Sequence, residues 1–287
     1  MKILVSGAQG QLGNALQNLK SRAQIVALNR LEFDITNQKQ VAQVIVHEKP
    51  DVLINAAAFT NVDGAETQAE EAYRINREAP GFLAQICSEN NVKLVHISTD
   101  YVFDGLLGRP YHEKDATRPL SVYGKSKREG EVAVIKIDLQ HLVVRTAWVY
   151  HWHGKNFLKT MYGQINKPLV RVVNDQFGSP TFAPHLALGL LQLIEKNVSG
   201  VYHLAGHGVT TWFDLTKTFY ELMGIKTEVH PVTTKEFPRP AFRPPYSALT
   251  TVRTEEICLP PWEQGLEEFV KGFNNPSFPN VSIGNPG

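Results

Sequence analysis

The chain has 287 residues, longer than the ~100–200 of a usual single domain, so one large or two unequal domains are expected. Apolar residues make up 43%, which excludes a disordered chain, and a net charge of +1 from 29 basic and 28 acidic side chains gives no electrostatic case for nucleic acid or an anionic membrane. Two cysteines, Cys87 and Cys258, match neither a zinc site nor a disulfide scaffold, and no stretch approaches the ~20 apolar residues of a membrane span. The reading is a soluble cytoplasmic protein with reduced thiols.

Ile3 to Ser6 reads as a buried strand and Gln11 to Lys20 as a helix, with Leu12, Leu16 and Leu19 on one face. Ile25 to Leu28 is the second strand, Asn37 to Glu48 a helix ending before Pro50, Asp51 to Ala57 the third strand, and Glu66 to Asn90 a long helix. Lys93 to Ile97 and His141 to Val149 are strands four and five, separated by a Gly- and Pro-rich loop and a helix from about Leu120 to Ile137. This alternation predicts an α/β fold with a doubly wound Rossmann-type parallel sheet over residues 1–150. From 151 to 273 prolines punctuate short elements, which predicts a smaller C-terminal substrate-binding lobe that partly returns to the first domain. The segment 274–287, rich in Asn, Pro, Gly and Ser, reads as a flexible tail.

Gly7, Gly10 and Gly13 lie between a strand and an amphipathic helix, the context in which a glycine turn holds a dinucleotide pyrophosphate. Gly7 permits the tight turn, Gly10 the approach of backbone N–H groups to phosphate, and Gly13 close helix–sheet packing. At the end of strand two, where the adenosine ribose belongs, stand Asn29 and Arg30 with no carboxylate. A guanidinium suits the 2′-phosphate of NADP, so NADP(H) is the expected cofactor, with NAD(H) as a second donor. The competing reading sends Arg30 into solvent or onto Glu32. Asn55-Ala-Ala-Ala58 offers small side chains against which a ribose or nicotinamide could lie, or simply tight packing. Asp34-Ile35 could meet the adenine, or Asp34 could cap the next helix.

Tyr123 and Lys127 stand at i and i+4 of a predicted helix and so share one face. A neighbouring ammonium is expected to lower the phenol's pKa toward neutrality. Ser98-Thr99-Asp100 ends strand four, where one hydroxyl, Thr99 or by strand alternation Ser98, could bond a substrate oxygen as charge grows on it.

These blocks, with Ser98-Thr-Asp-Tyr-Val-Phe-Asp-Gly105, Arg145-Thr-Ala-Trp-Val-Tyr150 and Gln176-Phe-Gly-Ser-Pro-Thr181, resemble the extended short-chain dehydrogenase/reductases. More narrowly they are similar to dTDP-4-dehydrorhamnose reductases, from residue 1 to about 272. The resemblance implies catalytic Thr99, Tyr123 and Lys127. It implies cofactor contacts at Gly10, Gln11, Leu12, Asp34, Ile35, Ala58 and Thr60, beside Gly7, Ala57 and the Tyr/Lys pair. It further implies a dTDP-deoxysugar substrate held at Val62, Thr99, Asp100, Trp148 and the Gln176 region.

A flat Trp148 indole could pack on the sugar or thymine, or be an ordinary core residue. Some family members share Mg2+ at a dimer contact through a glutamate where this chain has Ala15, which argues against a metal site and leaves a monomer or weak homodimer. Late in the chain, Tyr246 replaces a family asparagine. A second class, a non-catalytic regulatory subunit similar to the methionine adenosyltransferase beta chain, shares the Ser-x-Asp-Tyr-Val-Phe-Asp-Gly block and the Tyr/Lys pair.

Overall fold

Strand β1 (Lys2–Ser6) lies inside the sheet: Ile3, Leu4 and Val5 are fully buried, as a parallel strand covered on both faces requires. The computed structural model describes residues 1–273 apart from Glu256, so the expected tail at 274–287 lies outside the described residues. After β1 come α1 (Gln11–Gln17), β2 (Gln24–Leu28), α2 (Gln38–Glu48) and β3 (Val52–Asn55). Then follow α3 (Val62–Ala65), α4 (Ala69–Tyr73), α5 (Ala79–Glu89), β4 (Lys93–Thr99), α6 (Val122–Ile137) and β5 (Leu142–Thr146). The remaining elements are β6 (Val149–Tyr150), α7 (Phe157–Tyr162), β7 (Leu169–Val173), β8 (Phe177–Gly178), β9 (Thr181–Phe182), α8 (Ala183–Glu195), β10 (Gly200–His203), β11 (Thr210–Thr211), α9 (Trp212–Met223), β12 (Glu228–Val232) and α10 (Trp262–Phe273).

The main sheet has six parallel strands in the order β10-β5-β4-β3-β1-β2. Helices cover both faces: α1 and α8 pack on Ile3, Val5 and Ile54, whereas α2, α5 and α6 pack on Leu4, Leu53 and Val143. The chain reverses direction across the sheet between β1 and β3. Loops at the carboxyl ends of those two strands therefore flank a crevice, the place where open α/β sheets bind ligands. A third apolar cluster, built around Tyr150, Phe182, Leu215, Phe219 and Phe269, forms the core of the second lobe.

Two expected elements differ. The long helix begins at Ala69 and widens into a π turn at Arg74–Glu78 before α5. Pro80 has no N–H to give the carbonyl four residues back, which favours that widening. The fifth strand splits because Trp148 adopts φ +45°, a left-handed conformation that interrupts extended backbone. No helix among the described residues is long and apolar enough to cross a membrane.

Helix α6 is anchored by Glu131, which is fully buried. Its Oε1 accepts from Ser98 Oγ (2.6 Å) and Arg145 Nε (2.8 Å), and its Oε2 from Arg145 Nη2 (2.7 Å) and Arg128 Nη1 (3.1 Å). Removing the carboxylate strands the buried Arg145 guanidinium. Glu131→Ala is expected to cost about 3–5 kcal/mol of unfolding free energy in urea titrations, and a loss below about 1 kcal/mol would contradict this anchoring.

Candidate active site

The glycine turn leaves β1 with Gly7 at φ +77°, and Gly10 N–H closes it on Gly7 O at 2.9 Å. A Cβ on Gly13 would lie 2.2 Å from that same carbonyl, so this position admits only glycine. No side chain caps the start of α1, which leaves backbone N–H groups at the turn available to a ligand. Across the crevice, Ala57 N would meet a Cβ on Gly7 at 3.0 Å, so the turn and the Asn55–Ala58 segment are in close contact. Asn76, presented by the π turn, holds this segment in place. Its Oδ1 accepts from Phe59 N (2.9 Å), and its Nδ2 donates to Phe59 O (3.0 Å) and to Ser126 Oγ (3.1 Å) on α6.

At the end of β2, Arg30 is largely exposed and its nearest carboxylate is Asp34, with Nε 3.8 Å from Oδ2. Glu32 is engaged elsewhere, accepting from Asn29 N at 2.8 Å. Asp34 accepts from Thr36 N and Oγ1, while Asn37 is the residue that caps α2. Ile35 is buried in the core beneath.

Thr99 ends β4, and alternation sends its neighbour Ser98 the other way, onto Glu131. The Thr99 hydroxyl donates to Asp100 Oδ1 (3.0 Å) and accepts from Tyr101 N (3.2 Å), and the Tyr123 phenol stands near it. Tyr123 stands in the first turn of α6, capped by Ser121, and packs edge-on against Tyr101. One turn on, Lys127 is buried, with Nζ donating to Ile97 O at 2.6 Å.

The expected lowering of the phenol does not hold in this state. Burial pushes Tyr123 up to about 12, and the nearby Thr99 hydroxyl opposes the shift only in part. Burial likewise brings Lys127 down to about 8 against the pull of Glu131. The ammonium is aimed at Ile97 O, so desolvation outweighs any help it gives the phenolate.

Asp100 is buried and turned inward, accepting from Ser247 Oγ at 2.5 Å as well as from Thr99. Here too burial dominates and pushes its carboxyl up to about 6. Val62 opens α3, and beside it Asp63 binds Arg243 through both oxygens (2.9 and 3.1 Å) and Arg239 (2.9 Å). These two arginines, each beside a proline in the sequence, thus share one carboxylate. Gln176 is also committed: its Nε2 donates to Thr234 Oγ1 (2.9 Å) and its Oε1 accepts from Trp212 Nε1 (3.2 Å). Trp148 stacks face to face on Trp212 with centroids 3.4 Å apart. Together with Gln11, Thr60, Lys155 and Phe157 this pair lines a cavity of about 220 Å³ between glycine turn and lobe.

The family model described as RmlD substrate binding domain matches residues 1–275. The dTDP-4-dehydrorhamnose reductase of Mycobacterium tuberculosis is 41% identical, the alignment covering 92% of this chain and 91% of that one. The chain belongs to this family. A solved dTDP-4-dehydrorhamnose reductase from Clostridium acetobutylicum superposes with TM-score 0.91 at 39% identity, covering 94% of this chain and 99% of that one. The Bacillus anthracis reductase, solved in complex with NADP, gives 0.90 at 37% identity, covering 93% and 98%.

Against the family pattern, Ala15 is buried in the α1–α8 core. No group of three or more His, Cys, Asp or Glu side chains that could hold a metal ion occurs among the described residues.

Asn76, His96, Asp63, Trp212 and Ser247 escaped the sequence reading. Only His96 carried a signal, a histidine set within an otherwise apolar strand. Ser247 offers a pH-dependent test. Asp100 titrates higher folded than unfolded, so its contribution to stability is present at low pH and lost as pH rises through about 6. Ser247→Ala removes a donor that matters most to the charged form. Thermal unfolding is expected to show a loss of about 1–3 kcal/mol near pH 8 and clearly less near pH 5. Equal losses at both would contradict the assignment.

Proposed function

We propose that this protein reduces the 4-keto group of dTDP-4-dehydrorhamnose to give dTDP-L-rhamnose, using NADPH. The reading rests on family membership and on one observation: Tyr123 stands beside the Thr99 hydroxyl with Lys127 buried one helical turn on, at the end of β4 and one strand from the switch point. The glycine turn fits a dinucleotide, being all backbone at its closest approaches and without a side-chain cap on the helix that follows. The bound reduced nicotinamide supplies the hydride.

Tyr123 gives its phenolic proton to the sugar O4 as C4 accepts the hydride, so ketone plus hydride plus proton becomes alcohol. Thr99 stands at the phenol and orients the carbonyl oxygen, while Asp100 and Tyr101 N fix that hydroxyl. Lys127 offsets the phenolate left on Tyr123 and holds the ribose. The high pKa of the phenol in the free protein keeps it protonated, the form a reductase needs.

Exposed Arg30, with Glu32 drawn off to Asn29, favours the 2′-phosphate of NADPH over NADH. Trp148, stacked on Trp212, forms a flat wall for the sugar or base, and Gln176 acts on the substrate by holding Trp212. We read residues 1–150 as the dinucleotide domain and 151–273 mainly as the substrate lobe, in a cytoplasmic monomer or weak homodimer.

Tyr123→Phe is expected to lower turnover by about 10²-fold or more while dinucleotide affinity is kept, followed as NADPH absorbance with the dTDP-4-keto-6-deoxysugar. Cofactor binding with no turnover by the unaltered protein would favour a regulatory subunit instead. For Arg30→Ala, the ratio of kcat/KM for NADPH over NADH should drop by roughly 10–100-fold. An unaltered protein that prefers NADH would refute the cofactor assignment.

A further inference from the structure

Behind Lys127 runs a buried polar chain that takes no part in the reduction itself. Ser6 Oγ donates to Asn55 Oδ1 at 2.8 Å, Asn55 Nδ2 faces His96 Nδ1 at 3.1 Å, and His96 Nε2 lies 3.5 Å from Lys127 Nζ. All four side chains are buried. A neutral imidazole carries one N–H and one lone pair, so it cannot accept from Asn55 and from Lys127 together. The orientation of Asn55 is decided independently. Its Oδ1 also accepts from Ala57 N at 3.3 Å, and turning the amide would set Nδ2 against that backbone donor. Asn55 Nδ2 therefore donates, His96 Nδ1 holds the lone pair, and the proton sits on Nε2, aimed at Lys127.

We propose that His96, locked by Ser6 and Asn55 in its Nε2–H form, is a positioning residue that disfavours the ammonium form of Lys127 and sets the pH range over which Lys127 supports Tyr123. A donor pointed at Nζ meets the lone pair of an amine and opposes a fourth N–H. Burial keeps His96 itself uncharged, and the charge of Lys127 reinforces that. The titratable groups on the elements packed around Lys127 are few. His96 comes from β4, and Glu131 and Tyr123 come from its own helix, with Glu131 held by Arg145 from β5 and by Arg128. Burial on its own already lowers Lys127 to about 8, and the His96 donor acts in the same direction.

The link to catalysis rests on the proposed pairing of Lys127 with Tyr123. The state of the chain does not, so the two can be tested apart. Imidazole ¹⁵N spectra of histidine-labelled protein, with the His96 signals assigned through His96→Gln, should show the Nε2–H tautomer with and without NADPH. Asn55→Asp replaces the donor by an acceptor and should invert His96 to Nδ1–H. The Lys127 Nζ titration, read in lysine-labelled protein and assigned with Lys127→Met, should then rise by about one pH unit or more. The alkaline limb of kcat/KM should move up with it.

An Nδ1–H tautomer in the unaltered protein overturns the proposal, and that measurement stands even where Asn55→Asp does not fold. An inverted tautomer with an unmoved Lys127 titration also overturns it. A shifted Lys127 titration in a protein without ketoreductase activity would defeat the functional reading and leave the chain intact.

Discussion

One buried carboxylate sets the geometry on which the site depends. Glu131 accepts four hydrogen bonds, from the helix, from β4 and from β5, and so fixes the rotation and height of α6 against the two strands. Tyr123, Lys127 and Glu131 follow one another at four-residue steps, each about 5–6 Å along the same face. A slip of one residue would swing the phenol about 100° away from Thr99. A buried ion pair of this kind contributes little net stability compared with apolar packing. Its value here is registry: a leucine could fill the space, but only a carboxylate bonds Ser98 and Arg145 together.

The same burial that makes registry possible shapes the electrostatics. Thr99, Asp100 and Lys127 are almost completely excluded from water. Desolvation raises Tyr123 and Asp100 and lowers Lys127, moving each toward its neutral form. Only the phenol is fully neutral at pH 7, where Asp100 at about 6 and Lys127 at about 8 keep most of their charge, held by directed hydrogen bonds with the fixed charges of Glu131 and Arg145 one layer below. Dipoles arranged in this way need little reorganisation when charge develops on a substrate oxygen, and that is where electrostatic catalysis gains most.

Much of this was legible in the chain, for physical reasons that differ by element. Strands β1, β3 and β4 are continuous apolar runs because helices cover both their faces, and Tyr123 and Lys127 announce themselves through helical spacing. What stayed hidden depends on contacts far apart in sequence. Nothing in the sequence ties Arg239 and Arg243 to Asp63, over 170 residues earlier, which holds both in the fold. Asn76 reads as one polar residue on a helix, and only the π turn made by Pro80 brings its amide to both Phe59 and Ser126. A partial return of the C-terminal half to the first domain was expected, but not which elements make it. Helix α8 and strand β10 return to the first core from within the Pro-rich half, and short elements carry no mark of which core they join.

Trp148 shows how the two lobes meet at the crevice. Its left-handed φ of +45° costs roughly 1–2 kcal/mol for a residue with a Cβ. The conformation persists because it lays the indole flat on Trp212, over Gly178, where any Cβ would collide with the ring at 2.3 Å. Trp212 is held in turn by Gln176. On the other side, Gln11 of the glycine turn donates to Val149 O, next to Trp148, and accepts from Asn156 of the lobe. A strained residue thus sits between two anchors, one in each lobe. Movement of the glycine turn would reach the indole wall through a single peptide, so the turn and the Trp148–Trp212 wall are mechanically one unit.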